Sequence, residues 1–267
     1  MYAEPYTPHW IDLEGVCNLR GLCGLPAAGG RTIAPRTLLR SDNLSDLTPG
    51  STVILRDEYG LTDVVDLRTD MEIHETGQGP LSDDPGVSFH DFSLYPKEVP
   101  GQTIPPWMKD KNLHTVGTPV PRAQALSIHY MHYLSGRPDS VTSAMRTIAT
   151  AQGATLVNCA AGKDRTGTVI AVVLSAVGVD RETIVADYEA SNLRVLKIID
   201  RLGCRIADAG SVHRNDNLTV HGQSTPAEAM QGLFALVDDH YGSMNDYLDR
   251  AGWTADDQQA LETKLLG

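Results

Sequence analysis

Leu156-Val157-Asn158-Cys159-Ala160-Ala161-Gly162-Lys163-Asp164-Arg165-Thr166-Gly167 decides how this chain is read. A short apolar strand, Ala154–Cys159, ends on a cysteine, and an apolar helix over Thr166–Val177 begins directly after the turn and stops at Gly178. A turn between strand and helix aims successive backbone N–H groups, here from Ala160, Ala161, Gly162 and Lys163 onward, into one concavity that suits a phosphate-like anion. The helix N-terminus adds unpaired N–H groups and the positive end of its dipole. Thiols in such positions give up their proton readily, and the thiolate is the nucleophilic form, so Cys159 is the candidate nucleophile. Gly162 lets the turn close without a Cβ clash. Arg165 brings a planar fork for two phosphate oxygens, and Thr166 offers a hydroxyl to a departing thiolate. Phosphoryl transfer demands mainly positioning and charge neutralisation, and this loop supplies both with no metal or other cofactor. A bare Cys-x5-Arg spacing would fit a buried structural cysteine equally well. The continuation Gly-Lys-Asp-Arg-Thr-Gly, set between an apolar strand and an apolar helix, argues against that.

Outward from this stretch, strands and helices alternate early and helices mass late. Thr37–Ser41, Thr62–Leu67 and Val87–Phe92 read as strands. Thr48-Pro49 reads as an N-cap with a first-turn proline, opening a helix that ends near Gly60. Ala123–Ser135 and Asp139–Ala151 carry apolar residues at helical spacing, Asp180 caps a helix through Tyr188, and Asn192–Leu202 continues helically. Thr225-Pro226-Ala227-Glu228 has the form of a capping box and opens a helix ending near Gly242. Asn245–Ala251 and Ala255–Leu266, the latter capped by Thr254, close the chain. Two stretches lack a sustained period. One is 96–121, with six prolines, which fits a functional loop or lid as well as a surface excursion; the other is the polar loop Gly203–Ser224. The pattern implies a single α/β domain over residues 1–267.

Lys and Arg total 22 against 34 Asp and Glu, a formal net charge of -12 in 267 residues. Bulk charge therefore does not favour nucleic acid or an anionic membrane, and positive charge for an anionic substrate must be concentrated locally. Lys163 and Arg165, with Arg20 or Arg40, are the candidates to build that pocket. Cys17, Cys23, Cys159 and Cys204 are too few and too scattered for a disulfide scaffold, and Cys17 and Cys23 have no matching Cys/His pair for a metal. No basic segment followed by an apolar one opens the chain, and the longest apolar run, Val169–Leu174, is far short of a membrane span. A cytoplasmic location, or export without a cleavable signal, is expected.

Several segments together carry a resemblance: the loop itself, Asn18-Leu19-Arg20, Leu39-Arg40-Ser41-Asp42-Asn43-Leu44-Ser45, Val64-Val65-Asp66-Leu67-Arg68 through Glu72, Ile184-Val185-Ala186-Asp187-Tyr188 with Ser191-Asn192, and Tyr241-Gly242-Ser243 with Tyr247-Leu248. The chain resembles the atypical bacterial protein-tyrosine phosphatases of the phosphatase B type, whose loop reads His-Cys-x-x-Gly-Lys-Asp-Arg-Thr-Gly. The resemblance implies a cysteine-phosphatase fold: a central, mostly parallel sheet flanked by helices, with extra C-terminal helices and a possible lid. It also implies hydrolysis of phosphomonoesters through a phosphocysteine. Phosphotyrosine protein is the first expected substrate, with phosphoserine, phosphothreonine and phosphoinositides in range. Two departures stand out. Asn158 replaces the family's His, and it can hydrogen-bond but carries no charge, so a slower enzyme is expected. The insertion at 96–121 aligns poorly with the family's lid region.

Releasing an alkoxide or phenoxide needs a proton donor. The resemblance nominates Asp164, inside the loop; Asp91, on the strand before the insertion, is the rival. Asp66 and Arg68 either brace the loop or form a surface pair, and Tyr130, Tyr133, Tyr188, His129 and His132 read as packing or surface groups. Cys204 is a weak candidate to resolve an oxidised Cys159. Two other classes compete with the enzyme reading: a phosphate-binding module without turnover, motivated by Asn158, and a sulfur transferase of the rhodanese kind, against which the Gly-Lys-Asp-Arg-Thr continuation speaks.

Overall fold

In the computed structural model, residues 6–95, 114–115, 118–208 and 218–267 are described. Among them, six strands form one sheet in the order β1-β2-β3-β8-β4-β5. The strands are β1 (His9–Trp10), β2 (Arg20–Gly21), β3 (Leu38–Ser41), β4 (Leu61–Asp66), β5 (Ser88–Asp91) and β8 (Ala154–Asn158). β3, β8, β4 and β5 run parallel, and β1 and β2 add an antiparallel edge. The central strand β8, flanked on both sides, is the one that leads directly into Cys159. Every residue of β8 is buried, as a strand with covered faces requires.

The period of two in the strands sorts the core into two layers. Leu38, Val65 and Val157 face the larger cluster, which the helices fill; Leu39, Val64 and Leu156 face a smaller one with Leu55, Leu61 and Val87. The helix that follows the loop, α5 (Asp164–Ala176), lies in the middle of the larger layer, with Arg165 through Leu174 all buried. Around it stand α3 (Arg122–Gly136), α4 (Pro138–Thr150), α6 (Arg181–Glu189) and α9 (Ala227–Tyr241). α3 and α9 meet closely at Gly232, where a Cβ would fall 2.2 Å from Ser127 Oγ.

Most sequence-predicted elements fall within a residue or two of their expected ends. Thr48 caps α1 (Pro49–Asp57), Asp180 caps α6, and Thr254 with Asp257 forms a capping box on α11 (Ala255–Leu266). Three expectations are corrected. Thr225 does not cap α9, because its hydroxyl is engaged by Asn192 Oδ1 at 3.1 Å, and α9 begins without a side-chain cap. The loop expected from Gly203 is helical at its start, since α7 (Val195–Asp208) continues through Gly203, and at its end, where α8 (Val220–Gln223) forms. Helix α2 (Asp70–Thr76) was not anticipated, although its capping box Thr69-x-x-Glu72 is written in the sequence. Within the insertion at 96–121, β6 (His114–Thr115) and β7 (Thr118–Pro119) form a short antiparallel pair. Residues 96–113 and 116–117 of that insertion, which fits a loop or lid and a surface excursion equally, lie outside the described residues, as do 209–217 and the side chain of Cys204. Among the described residues no helix is long and apolar enough to cross a membrane.

Candidate active site

β8 delivers Cys159 to the C-terminal end of the parallel strands, and α5 starts at Asp164 with Lys163 as its N-cap and no side-chain cap. Its first helical bond runs from Gly167 N–H to Lys163 O at 2.8 Å. Among the described residues, none of the backbone N–H groups of Ala160 through Thr166 donates to an acceptor within the protein. Gly162 adopts φ +67°, and a Cβ there would lie 2.4 Å from the carbonyl of Ser41. The loop therefore rests directly on the end of β3. Gly162→Ala is expected to lose at least ~1–2 kcal/mol from the left-handed backbone alone, with activity falling alongside. Urea unfolding paired with an aryl phosphate assay checks this, and an unchanged midpoint would contradict the close approach.

Cys159 is 3 % exposed and packs against the larger core. Arg165 is also buried, and its donors divide in a specific way. Nη1 and Nη2 grip Glu72 Oε2 and Oε1 at 2.6 and 2.7 Å, and Nη1 donates to Leu67 O at 3.3 Å. That occupies the end of the fork. Nε–H and the second Nη2–H, which point the same way along its side, have no acceptor among the described residues, and this is the edge that suits two oxygens of a phosphate. Burial would lower the Arg165 pKa, but Glu72, with Cys159 contributing, drives it well above its ordinary value. Burial would likewise raise Glu72, and the Arg165 charge outweighs it, holding that carboxyl at about 2. The Tyr95 ring covers the guanidinium, with its centroid 5.5 Å away.

Asp164 lies in the loop with both oxygens engaged. Tyr130 donates to Oδ1 at 2.5 Å and Lys163 Nζ to Oδ2 at 2.6 Å. Burial alone would raise its pKa; the Lys163 charge and these two bonds lower it overall. Tyr130, expected to be a packing residue, thus touches the candidate acid, and its oxygen sits 2.7 Å from that of Tyr188. Lys163 is buried rather than solvated. Asp91, the rival acid, stands at the open end of β5, accepts from Gln78 at 2.8 Å, and its carboxyl is pushed up by partial desolvation and by the Asp66 charge. Asp66 and Arg68 form a buried pair, not a surface one, at 2.5 Å, and Arg68 Nη1 donates to Thr76 at 2.7 Å, fixing the end of β4 to α2. Arg20 and Arg40 do not line the pocket. Both are fully buried behind the loop and paired with Asp187.

Two buried polar side chains of this stretch stand unpaired among the described residues: the amide of Asn158, next to Cys159 in the chain, and the hydroxyl of Thr166 in the first turn of α5. A buried polar group in that condition costs about 1–3 kcal/mol.

A sequence model of the tyrosine phosphatase family matches residues 11–267. The chain belongs to that family. It is similar to the triple specificity protein phosphatase PtpB of Mycobacterium tuberculosis, 28 % identical over 96 % of this chain and 99 % of that one. It is also similar to a putative tyrosine-protein phosphatase of Cupriavidus necator, 27 % identical over 90 % of this chain and 83 % of that one. A tyrosine-protein phosphatase of Nostoc commune is 27 % identical over 98 % of this chain and 86 % of that one. This member of the tyrosine phosphatase family is accordingly a phosphoric monoester hydrolase, and its substrates are phosphorylated. Glu72 is the site residue that sequence reasoning missed: the same carboxylate that closes the Thr69 capping box, at 2.8 Å from Thr69 N, orients the Arg165 fork.

Proposed function

We propose that the chain hydrolyses phosphomonoesters through a phosphocysteine, with phosphotyrosine protein as its preferred substrate. The observation that carries this reading is that, among the described residues, one side of the Arg165 fork and the seven N–H groups from Ala160 to Thr166, directly after Cys159, have no acceptor. The Cys159 thiolate attacks phosphorus; the S–P bond forms as the P–O bond to the leaving group breaks. Ala160, Ala161, Gly162 and Lys163 amides with Arg165 hold the three equatorial oxygens. Asp164 gives its proton to the departing oxygen. For that it must first take one up, and the geometry offers a route: a phosphate that draws the Lys163 ammonium away leaves Asp164 with Tyr130 alone, which raises its affinity for a proton. In the second step water attacks phosphorus, Asp164 accepts a proton from it, and the S–P bond breaks to return the thiolate. The unpaired Thr166 hydroxyl is available to donate to that sulfur.

The test is release of phosphate from phosphotyrosine, phosphoserine and phosphothreonine peptides and from phosphoinositides, with a chelator present. Phosphotyrosine peptides are expected to turn over fastest. Fastest release from the inositol lipids would move the preferred substrate to that class, and binding without release over a broad pH range would make the chain a phosphate-binding module instead.

A further inference from the structure

Three successive loop carbonyls, those of Ala160, Ala161 and Gly162, are tied down from behind. Asn43 N–H donates to Ala160 O at 3.3 Å, Asn18 Nδ2 to Ala161 O at 3.0 Å and to Gly162 O at 3.1 Å, and Arg40 Nη2 to Gly162 O at 2.8 Å. In a trans peptide the C=O of one residue and the N–H of the next point in opposite directions. Anchoring the carbonyls of Ala160, Ala161 and Gly162 outward therefore turns the N–H groups of Ala161, Gly162 and Lys163 inward.

The anchors form a closed circuit. Asn18 Oδ1 accepts from Arg20 Nη1 at 2.8 Å, Arg20 Nε donates to Asp187 Oδ1 at 2.8 Å, Asp187 Oδ2 accepts from Arg40 Nη1, and Arg40 returns to Gly162 O. Tyr6 also donates to Asp187 at 2.9 Å, and Ser191 Oγ accepts from Asn18 at 3.2 Å. Asn18, Arg20, Arg40 and Asp187 are each at most 1 % exposed. Burial would raise the Asp187 carboxyl, but the Arg20 and Arg40 charges hold it at about 2. Two guanidiniums against one carboxylate leave a surplus positive charge directly behind Gly162, in a chain whose net charge is -12.

We propose that Asn18 is a positioning residue that sets the anion-binding peptides of the loop, with the Arg20–Asp187–Arg40 circuit holding it and adding positive charge from behind. This rests on the loop's reading as an oxyanion site. Asn18→Asp is the near-isosteric probe: it keeps an acceptor for Arg20 and replaces the amide donor with an oxygen that repels the carbonyls of Ala161 and Gly162. With two amides misdirected at about tenfold each, tungstate is expected to bind about 100-fold more weakly to the folded variant by calorimetry. KM for an aryl phosphate should rise and kcat fall, and a purely structural role would lower only the melting temperature. Tungstate bound as tightly by Asn18→Asp as by wild type would overturn the proposal. Should neither that variant nor Asn18→Ala fold, the wild-type protein still decides by NMR. The amide protons of Ala161, Gly162 and Lys163 must shift on adding tungstate, and their staying fixed would refute the positioning. Failure of wild type to bind tungstate at all would instead remove the oxyanion reading on which the proposal stands.

Discussion

Cys159→Ser is expected to lower hydrolysis of an aryl phosphate by ~10⁴-fold or more, the scale on which losing a covalent nucleophile acts. Serine keeps the shape, so the loop and Arg165 remain, but its hydroxyl has no adjacent base to activate it; among the described residues the only carboxylate of the loop, Asp164, is held by Lys163 and Tyr130. Tungstate binding should survive, because the amides of Ala160 to Thr166 and the free edge of Arg165 are untouched. Loss of turnover with retained binding separates a missing nucleophile from a collapsed site. Steady-state assays with a chelator, alongside calorimetry, check both halves. A Ser variant within tenfold of wild type would mean that another group attacks phosphorus.

Arg165→Lys is the second large effect. Lysine retains the charge, but a single ammonium cannot hold Glu72 and also offer two parallel donors to the phosphate. A fall in kcat of ~10³-fold is expected, comparable with losing a preorganised donor to the transition state. Glu72→Gln should cost less, roughly 10–100-fold, since one oxygen still accepts while the new NH2 group opposes a guanidinium nitrogen. The sign of the pH effect follows from the depressed Glu72 pKa, about 2 in the fold against 4.5 ordinarily. The pair's stabilisation is complete above pH 4.5 and is lost as pH falls toward 2. Acid unfolding curves of wild type and Glu72→Gln should therefore diverge above that window and converge below it. If Arg165→Lys retained kcat, the fork geometry would be irrelevant.

The part of this molecule that was legible is the part contiguous in the chain. A strand, a turn and a helix joined in sequence announce themselves through period, glycine and spacing, and Ala154–Asn158 and Asp164–Ala176 lie close to where those signals put them. The surroundings of the loop come from far away: Glu72 reaches Arg165 across 93 residues and Asn18 reaches Ala161 across 143. No local pattern reports such contacts. Glu72 was half visible, because the Thr69 capping box was written in the sequence, but a capping box does not say what else its carboxylate will hold. Tyr130 reads as a packing or surface group because a tyrosine within a helix gives no sign of where its hydroxyl ends. Thr225 failed as a cap for the converse reason: a tertiary acceptor, Asn192, took the hydroxyl that a local rule had assigned to the helix. Arg20 and Arg40, expected in the pocket, lie buried behind the loop on Asp187, a placement that no local pattern in the chain announces.

The most direct measurement is to quench turnover of an aryl phosphate with acid on the millisecond scale and map the protein by mass spectrometry. The account predicts the added mass of one phosphoryl group on the peptide carrying Cys159, at the sulfur, and none in Cys159→Ser. Phosphate found on another side chain, or full turnover with no protein-bound phosphate at any time, would contradict it.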